Sequence, residues 1–173
     1  VEFRTDDEYL ANLEREYRSR RRAATLRSMS NEQLQWLMKV IQPERTLASL
    51  PGGGGLGQEA HAGLLGLPVE TYASELARMK KEASDAAAAL LADEAVASMV
   101  DRLSLRKGAK VVVFGDSLTS EPQSWAVILR DMLAMRRGAD EISWTISAVA
   151  GETTTHALVR IGELINARPD WAL

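Results

Sequence analysis

Val111, Val112 and Val113 stand in a row between Lys110 and Phe114, and this short run constrains the fold more than any other feature of the chain. Successive side chains of a strand point to opposite faces, so three consecutive β-branched residues are all buried only where a strand is covered on both sides. The pattern that follows fits that setting. Residues 123–136 read as an amphipathic helix, residues 141–149 as a second strand rich in Ile, Trp and Val, and residues 153–167 as a second helix. Asp170-Trp171-Ala172-Leu173 reads as the opening of a third strand, cut off in mid-strand. The order β-α-β-α-β predicts a parallel sheet with right-handed helical crossovers, an α/β fold.

Ahead of Lys107-Gly108 the periodicity is helical. Thr5 with Glu8 fits a capping box, and Leu10, Leu13 and Tyr17 recur at helical spacing, which predicts a helix over residues 6–26. Ser30 with Gln33 repeats the signal for a second helix, whose stripe of Leu34, Leu37, Met38 and Ile41 ends at Pro43. Pro51 and Gly52 to Gly55 then interrupt the pattern, and the stretch 51–57 is expected to be a mobile loop or linker, because glycine loses much backbone freedom on ordering. Helices are expected over 58–65, 68–92 and 93–105, with Pro68 in the first turn of its helix and Ala86 to Ala89 packed closely against a neighbour. Trp125 and Trp144 are expected in the core. The chain thus divides into a helical region, 1–105, and an α/β region, 106–173.

The 173 residues are 46% hydrophobic and 26% charged with a formal charge of −3, enough to bury a core and too nearly neutral to imply nucleic acid or a charged membrane surface as a partner. There is no cysteine and only two histidines, His61 and His156, so disulfides, thiolate sites and a cysteine nucleophile are excluded. No metal and no cofactor are expected. Apolar runs such as Ala86 to Ala92 are far shorter than the roughly 18 residues of a membrane span. The acidic start does not look like a secretory leader, and the chain is expected to be cytoplasmic, with its start trimmed since it opens on Val1.

In open parallel α/β sheets, reactive groups gather in the loops at the carboxyl ends of the strands. Two such loops are present: Phe114-Gly115-Asp116-Ser117-Leu118-Thr119 after the triple valine, and Val149-Ala150-Gly151-Glu152-Thr153-Thr154 after the second strand. Gly115 allows a sharp strand-to-helix turn that puts the Ser117 hydroxyl at the mouth of the sheet. Backbone N–H groups around Ser117 and Gly151 could meet the oxyanion of a tetrahedral intermediate. Gly115-Asp116-Ser117-Leu118 resembles the first sequence block of the SGNH (GDSL) serine hydrolases, and the segment from Ala148 to Thr154 resembles their second block at the usual distance of one helix and one strand. Thr119 distinguishes the turn from the Gly-x-Ser-x-Gly elbow of the α/β-hydrolases.

The resemblance covers residues 109–173 and implies a flavodoxin-like sheet and a serine esterase acting on a small-molecule ester. Ser117 would be the nucleophile, Ser117 and Gly151 the oxyanion donors through their backbone amides, and Gly115 and Asp116 the supports of the turn. Family members also carry a Gly-x-Asn-Asp block after the third strand and an Asp-x-x-His pair near the carboxyl end. Neither is present here, and Ile146 and Ala148 stand where many members have Asn and Gly. A general base supplied from outside these residues is therefore expected, and a second polypeptide could complete both the sheet and the site. His156, at the start of the second helix, is the one alternative base near the loops. A second class of function comes from residues 58–72, which resemble a helix-turn-helix whose second helix would carry Arg78, Lys80 and Lys81. Glu70 and Glu75 in its first turns weigh against DNA. The Arg18, Arg20, Arg21, Arg22 and Arg27 cluster, with Glu14 and Glu16 beside it, reads as a solvated helix face.

Overall fold

The computed structural model describes residues 29–48 and 50–173, and the expected helix over 6–26 and the arginine cluster lie outside them. The chain forms two compact units, residues 1–74 and 75–173. The division falls inside one long helix and not near residue 105, because the helices following Glu75 contribute side chains to the same core as the sheet's own helix.

In the first unit, α1 (Asn31–Ile41) opens on the full capping box: the Gln33 N–H donates to Ser30 Oγ at 3.2 Å, and the Ser30 N–H donates to Gln33 Oε1 at 2.9 Å. Leu34 and Met38 of its apolar stripe are buried. The helix ends on Gln42, which takes a left-handed conformation at φ +45°, and Pro43 then starts α2 (Pro43–Ala48). A proline cannot continue a helix but suits the start of one, so Pro43 both stops α1 and begins its successor.

The glycine run is not a featureless linker. Gly53 to Gly55 form a 3₁₀ turn, and a Cβ on Gly53 would come within 1.8 Å of the Leu47 carbonyl oxygen. The missing side chain lets the backbone approach α2, which composition alone does not reveal. α3 (Gln58–Leu65) closes on Gly66 at φ +69°, with the Leu67 N–H donating back to the Ala62 carbonyl at 3.0 Å. α4 (Val69–Leu91) follows directly after Pro68. Tyr72 on its first turns is fully buried, with its ring 6.2 Å from that of His61.

The second unit begins within α4. Ala87 is fully buried there against Val100 of α5 (Glu94–Asp101) and Met132 and Leu133 of α7 (Trp125–Arg137), so one alanine of the expected run makes the close packing while Ala88 and Ala89 remain exposed. β1 (Lys110–Gly115) is the middle strand of a three-stranded parallel sheet of order β2-β1-β3. Val111 pairs with Trp144 and Val113 with Ile146 of β2 (Ser143–Ala148), and Val111 pairs also with Trp171 of β3 (Trp171–Ala172). All three valines are buried, and Val111 and Val113 pack on Ala126 of α7. Each such valine contributes on the order of 2 kcal/mol relative to an exposed one.

Two expectations need correction. Trp125 is 47% exposed, since it occupies the first position of α7 directly after the Ser124 cap; Trp144 does pack against both core clusters, as expected. The expected single helix over 153–167 is two helices, α8 (Thr154–Val159) and α9 (Ile161–Ala167), parted at Arg160, where the side-chain bonds described below are made. Beyond β2 much apolar surface stays exposed, with Leu158 at 64%, Val159 at 84% and Ile165 at 66%. Among the described residues no helix is long and apolar enough to cross a membrane.

Candidate active site

The two loops leave the sheet side by side. Gly115 and Ala148 are partners in the β1–β2 register, and the Val149 N–H donates to the Gly115 carbonyl at 3.0 Å, so the pairing runs to the mouths of both loops. They are built differently beyond that point.

In the first loop Asp116 caps the short helix α6 (Ser117–Ser120), accepting from the Leu118 N–H at 3.0 Å through its side chain and from the Thr119 and Ser120 N–H groups through its carbonyl. The Asp116 carboxylate is thereby engaged with backbone. Gly115 has no left-handed backbone. It is required for space: a Cβ there would lie 2.5 Å from Thr119 Oγ1 and 3.0 Å from Thr119 Cβ. Thr119, which sets this turn apart from the nucleophile elbow, is buried against the glycine.

Ser117, at the first position of α6, is half-buried. Neither its Oγ nor its N–H makes a hydrogen bond to another described residue. The free N–H follows from the helix geometry, since the first amides of a helix have no partner within it. The free Oγ means that no base adjoins it among the described residues. His156 is an exposed residue of α8, with its backbone N–H directed at Thr153 Oγ1, and His61 belongs to the other unit.

In the second loop Val149 to Glu152 form a β-turn, closed by the Glu152 N–H donating to the Val149 carbonyl at 3.2 Å. Gly151 sits at its third position with φ +77°, the conformation that favours glycine in a type II turn, and a Cβ there would meet nothing within 4 Å. Its N–H likewise has no partner among the described residues. Among the described residues, the two amides expected as oxyanion donors and the Ser117 hydroxyl are thus all without a hydrogen-bond partner, on loops that follow neighbouring strands.

The residues that sequence reasoning missed lie around Arg160. Its Nε donates to Glu152 Oε1 at 2.7 Å and its Nη2 to Glu152 Oε2, a two-pronged contact. Its Nη1 donates to Ser147 Oγ at 3.0 Å and to Glu163 Oε2 at 2.8 Å, and Ser147 Oγ donates to the same Glu163 oxygen at 2.9 Å. The guanidinium carbon stands 4.8 Å from the centre of the Phe114 ring, a cation–π distance. The Glu152 side chain is 6% exposed, and its hydrogen bonds from Arg160 hold its carboxyl below the ordinary glutamate range, helped by the charges of Arg160 and His156. The available signal was a lone arginine within the apolar run Ala157-Leu158-Val159-Arg160-Ile161, eight residues after an acid beside the loop glycine.

A separate depression of about 320 Å³ lies against one face of the sheet, across the register row Trp144, Val111 and Trp171, and is completed by Leu105, Trp125 and Leu173. It includes none of the loop residues above. In the helical region the expected helix pair does form about Gly66, but Arg78 is bonded to Glu75 at 2.6 Å and Lys81 to Asp85 at 2.6 Å on the same helix. Those cations are committed to local carboxylates. Compared with protein-family models, with curated proteins and with solved structures, the chain matches none.

Proposed function

We propose that this chain carries the nucleophile half of a serine esterase of the SGNH type. Ser117 attacks the ester carbonyl, and the Ser117 and Gly151 amides receive the negative charge that develops on its oxygen. The observation that carries this reading is the free Ser117 Oγ and the two free N–H groups at the carboxyl ends of two adjacent parallel strands, where a tetrahedral oxyanion requires donors not already engaged. The strand order β2-β1-β3 is that of the first three strands of a flavodoxin-like sheet, which supports the same reading.

The general base lies outside these residues. The free Ser117 Oγ supports this, since activated serines are held by their base. Among the described residues β3 is paired on one side only, and Trp171 and Leu173 stay exposed, which supports a sheet completed by further polypeptide along that edge. In the complete site, a histidine takes the Ser117 proton, the acyl-enzyme forms with loss of the alcohol, and water activated by the same histidine releases the acid.

The 173 residues alone are expected to turn over p-nitrophenyl acetate no faster than their Ser117→Ala variant. Turnover that depends on Ser117 would contradict an external base and direct attention to His156.

A further inference from the structure

The Arg160 side chain reaches both loops of the candidate site. It stacks on Phe114, three residues before Ser117, and holds the carboxylate of Glu152, the residue next to Gly151. It also stands at the break between α8 and α9, at φ −93° and ψ 1°, where a continuous helix was expected. The guanidinium makes four bonds to three side chains, two of them to Glu152 in the Gly151 turn and one each to Ser147 and Glu163. Gly151 has no Cβ, and open space where one would stand, so its own side does little to hold the turn and its neighbours must fix where its N–H points.

We infer that Arg160, acting through Glu152 and Phe114, is a positioning residue that locks the Gly151 amide in register with Ser117, so that both donors meet one oxyanion. The inference rests on the serine esterase reading. Arg160 does not touch the reacting atoms. Glu152 anchors one side of the glycine, the Val149 pairing with Gly115 anchors the other, and the ring of Phe114 ties the guanidinium to β1, the strand that leads into the serine turn. The groups facing the Glu152 carboxylate are Arg160 and His156, with Glu163 acting through Arg160.

The test uses the 173-residue chain, ¹⁵N-labelled and joined to a polypeptide bearing Gly-x-Asn-Asp and Asp-x-x-His blocks that supplies the histidine, with phenylboronic acid as probe. This acid forms a bond from Ser117 Oγ to boron, the hydroxyl proton passes to the supplied histidine, and the boron becomes a tetrahedral anion that imitates the oxyanion. In the wild-type chain the Gly151 amide resonance should shift saturably with the probe, and in Ser117→Ala it should not. Arg160→Met and Glu152→Gln should each weaken binding about tenfold and move the free Gly151 resonance, while Arg160→Lys should recover part of the affinity. Unchanged resonances of Val111 and Val113 in the variants certify the fold, and Glu152→Gln, nearly isosteric, serves should Arg160→Met unfold. In the free wild type the Gly151 resonance should also titrate with a carboxyl more acidic than an ordinary glutamate, and this titration should vanish in Glu152→Gln. Wild-type affinity in Arg160→Met and Glu152→Gln, with Ser117-dependent binding intact, would overturn the positioning role and leave the esterase reading standing. Absence of Ser117-dependent binding in the wild type, with the Gly151 titration still present, would overturn the esterase reading and the oxyanion role of Arg160 with it.

Discussion

The two loops of the candidate site each depend on a glycine, for opposite reasons. Gly115 has an ordinary backbone and no room: Thr119 occupies the place of its missing Cβ. Gly151 has ample room and a left-handed backbone. The first loop is held by local means, a helix cap at Asp116 and a side chain packed on a glycine. The second is held by a tertiary ion pair reaching across α8. A site with one loop fixed by its own sequence and another fixed by a distant arginine can lose the second without losing the first.

The comparison can be broken most forcefully at Gly115. Gly115→Ala should destabilise the α/β unit by about 1–3 kcal/mol in a urea melt, the cost of forcing atoms into packed space. Adding Thr119→Gly should recover part of that loss, and no recovery would show that the tight contact with Thr119 is not the reason for the glycine. Gly151→Ala should cost about 1–2 kcal/mol through backbone strain alone. Here no second substitution at a neighbour should help, whereas Gly151→Asn, which tolerates the left-handed region, should cost less. Asp116→Ala removes the cap of α6 and should cost about 1 kcal/mol while leaving the Gly151 resonance where it was.

The smallest expected effect is that of pH on the second loop. Glu152 has a carboxyl lowered by Arg160, so the ionised form is favoured by the fold. The stabilisation it contributes is complete above the ordinary glutamate pKa and is lost as pH falls through its own lower value. Acid should therefore loosen the Gly151 turn before the Ser117 turn, as amide hydrogen exchange at residues 149–153 against 115–120 would reveal. Simultaneous loosening would mean that the two loops share one support.

Much of this was legible beforehand. The triple valine located the central strand, and Ser30 with Gln33 located a helix start whose two bonds are both formed. The free amides at Ser117 and Gly151 stand where strand ends and a helix start were expected. What escaped was whatever depends on contact between distant residues. The break at Arg160 goes with its contacts to Glu152, Ser147 and Glu163, and no helical periodicity encodes it. The 3₁₀ turn at Gly53 depends on the approach of the Leu47 carbonyl, and Trp125 is exposed because it begins its helix and not because of its chemistry.

Ser117 is proposed as a nucleophile that waits for its base. The most direct test is labelling with a fluorophosphonate, read by intact mass and peptide mapping, of the 173 residues alone and of the same residues joined or mixed with a polypeptide bearing Gly-x-Asn-Asp and Asp-x-x-His blocks. The account predicts no label on the chain alone and one label, on Ser117, in the completed protein. A completed protein that remains unlabelled, or is labelled at another residue, would contradict it.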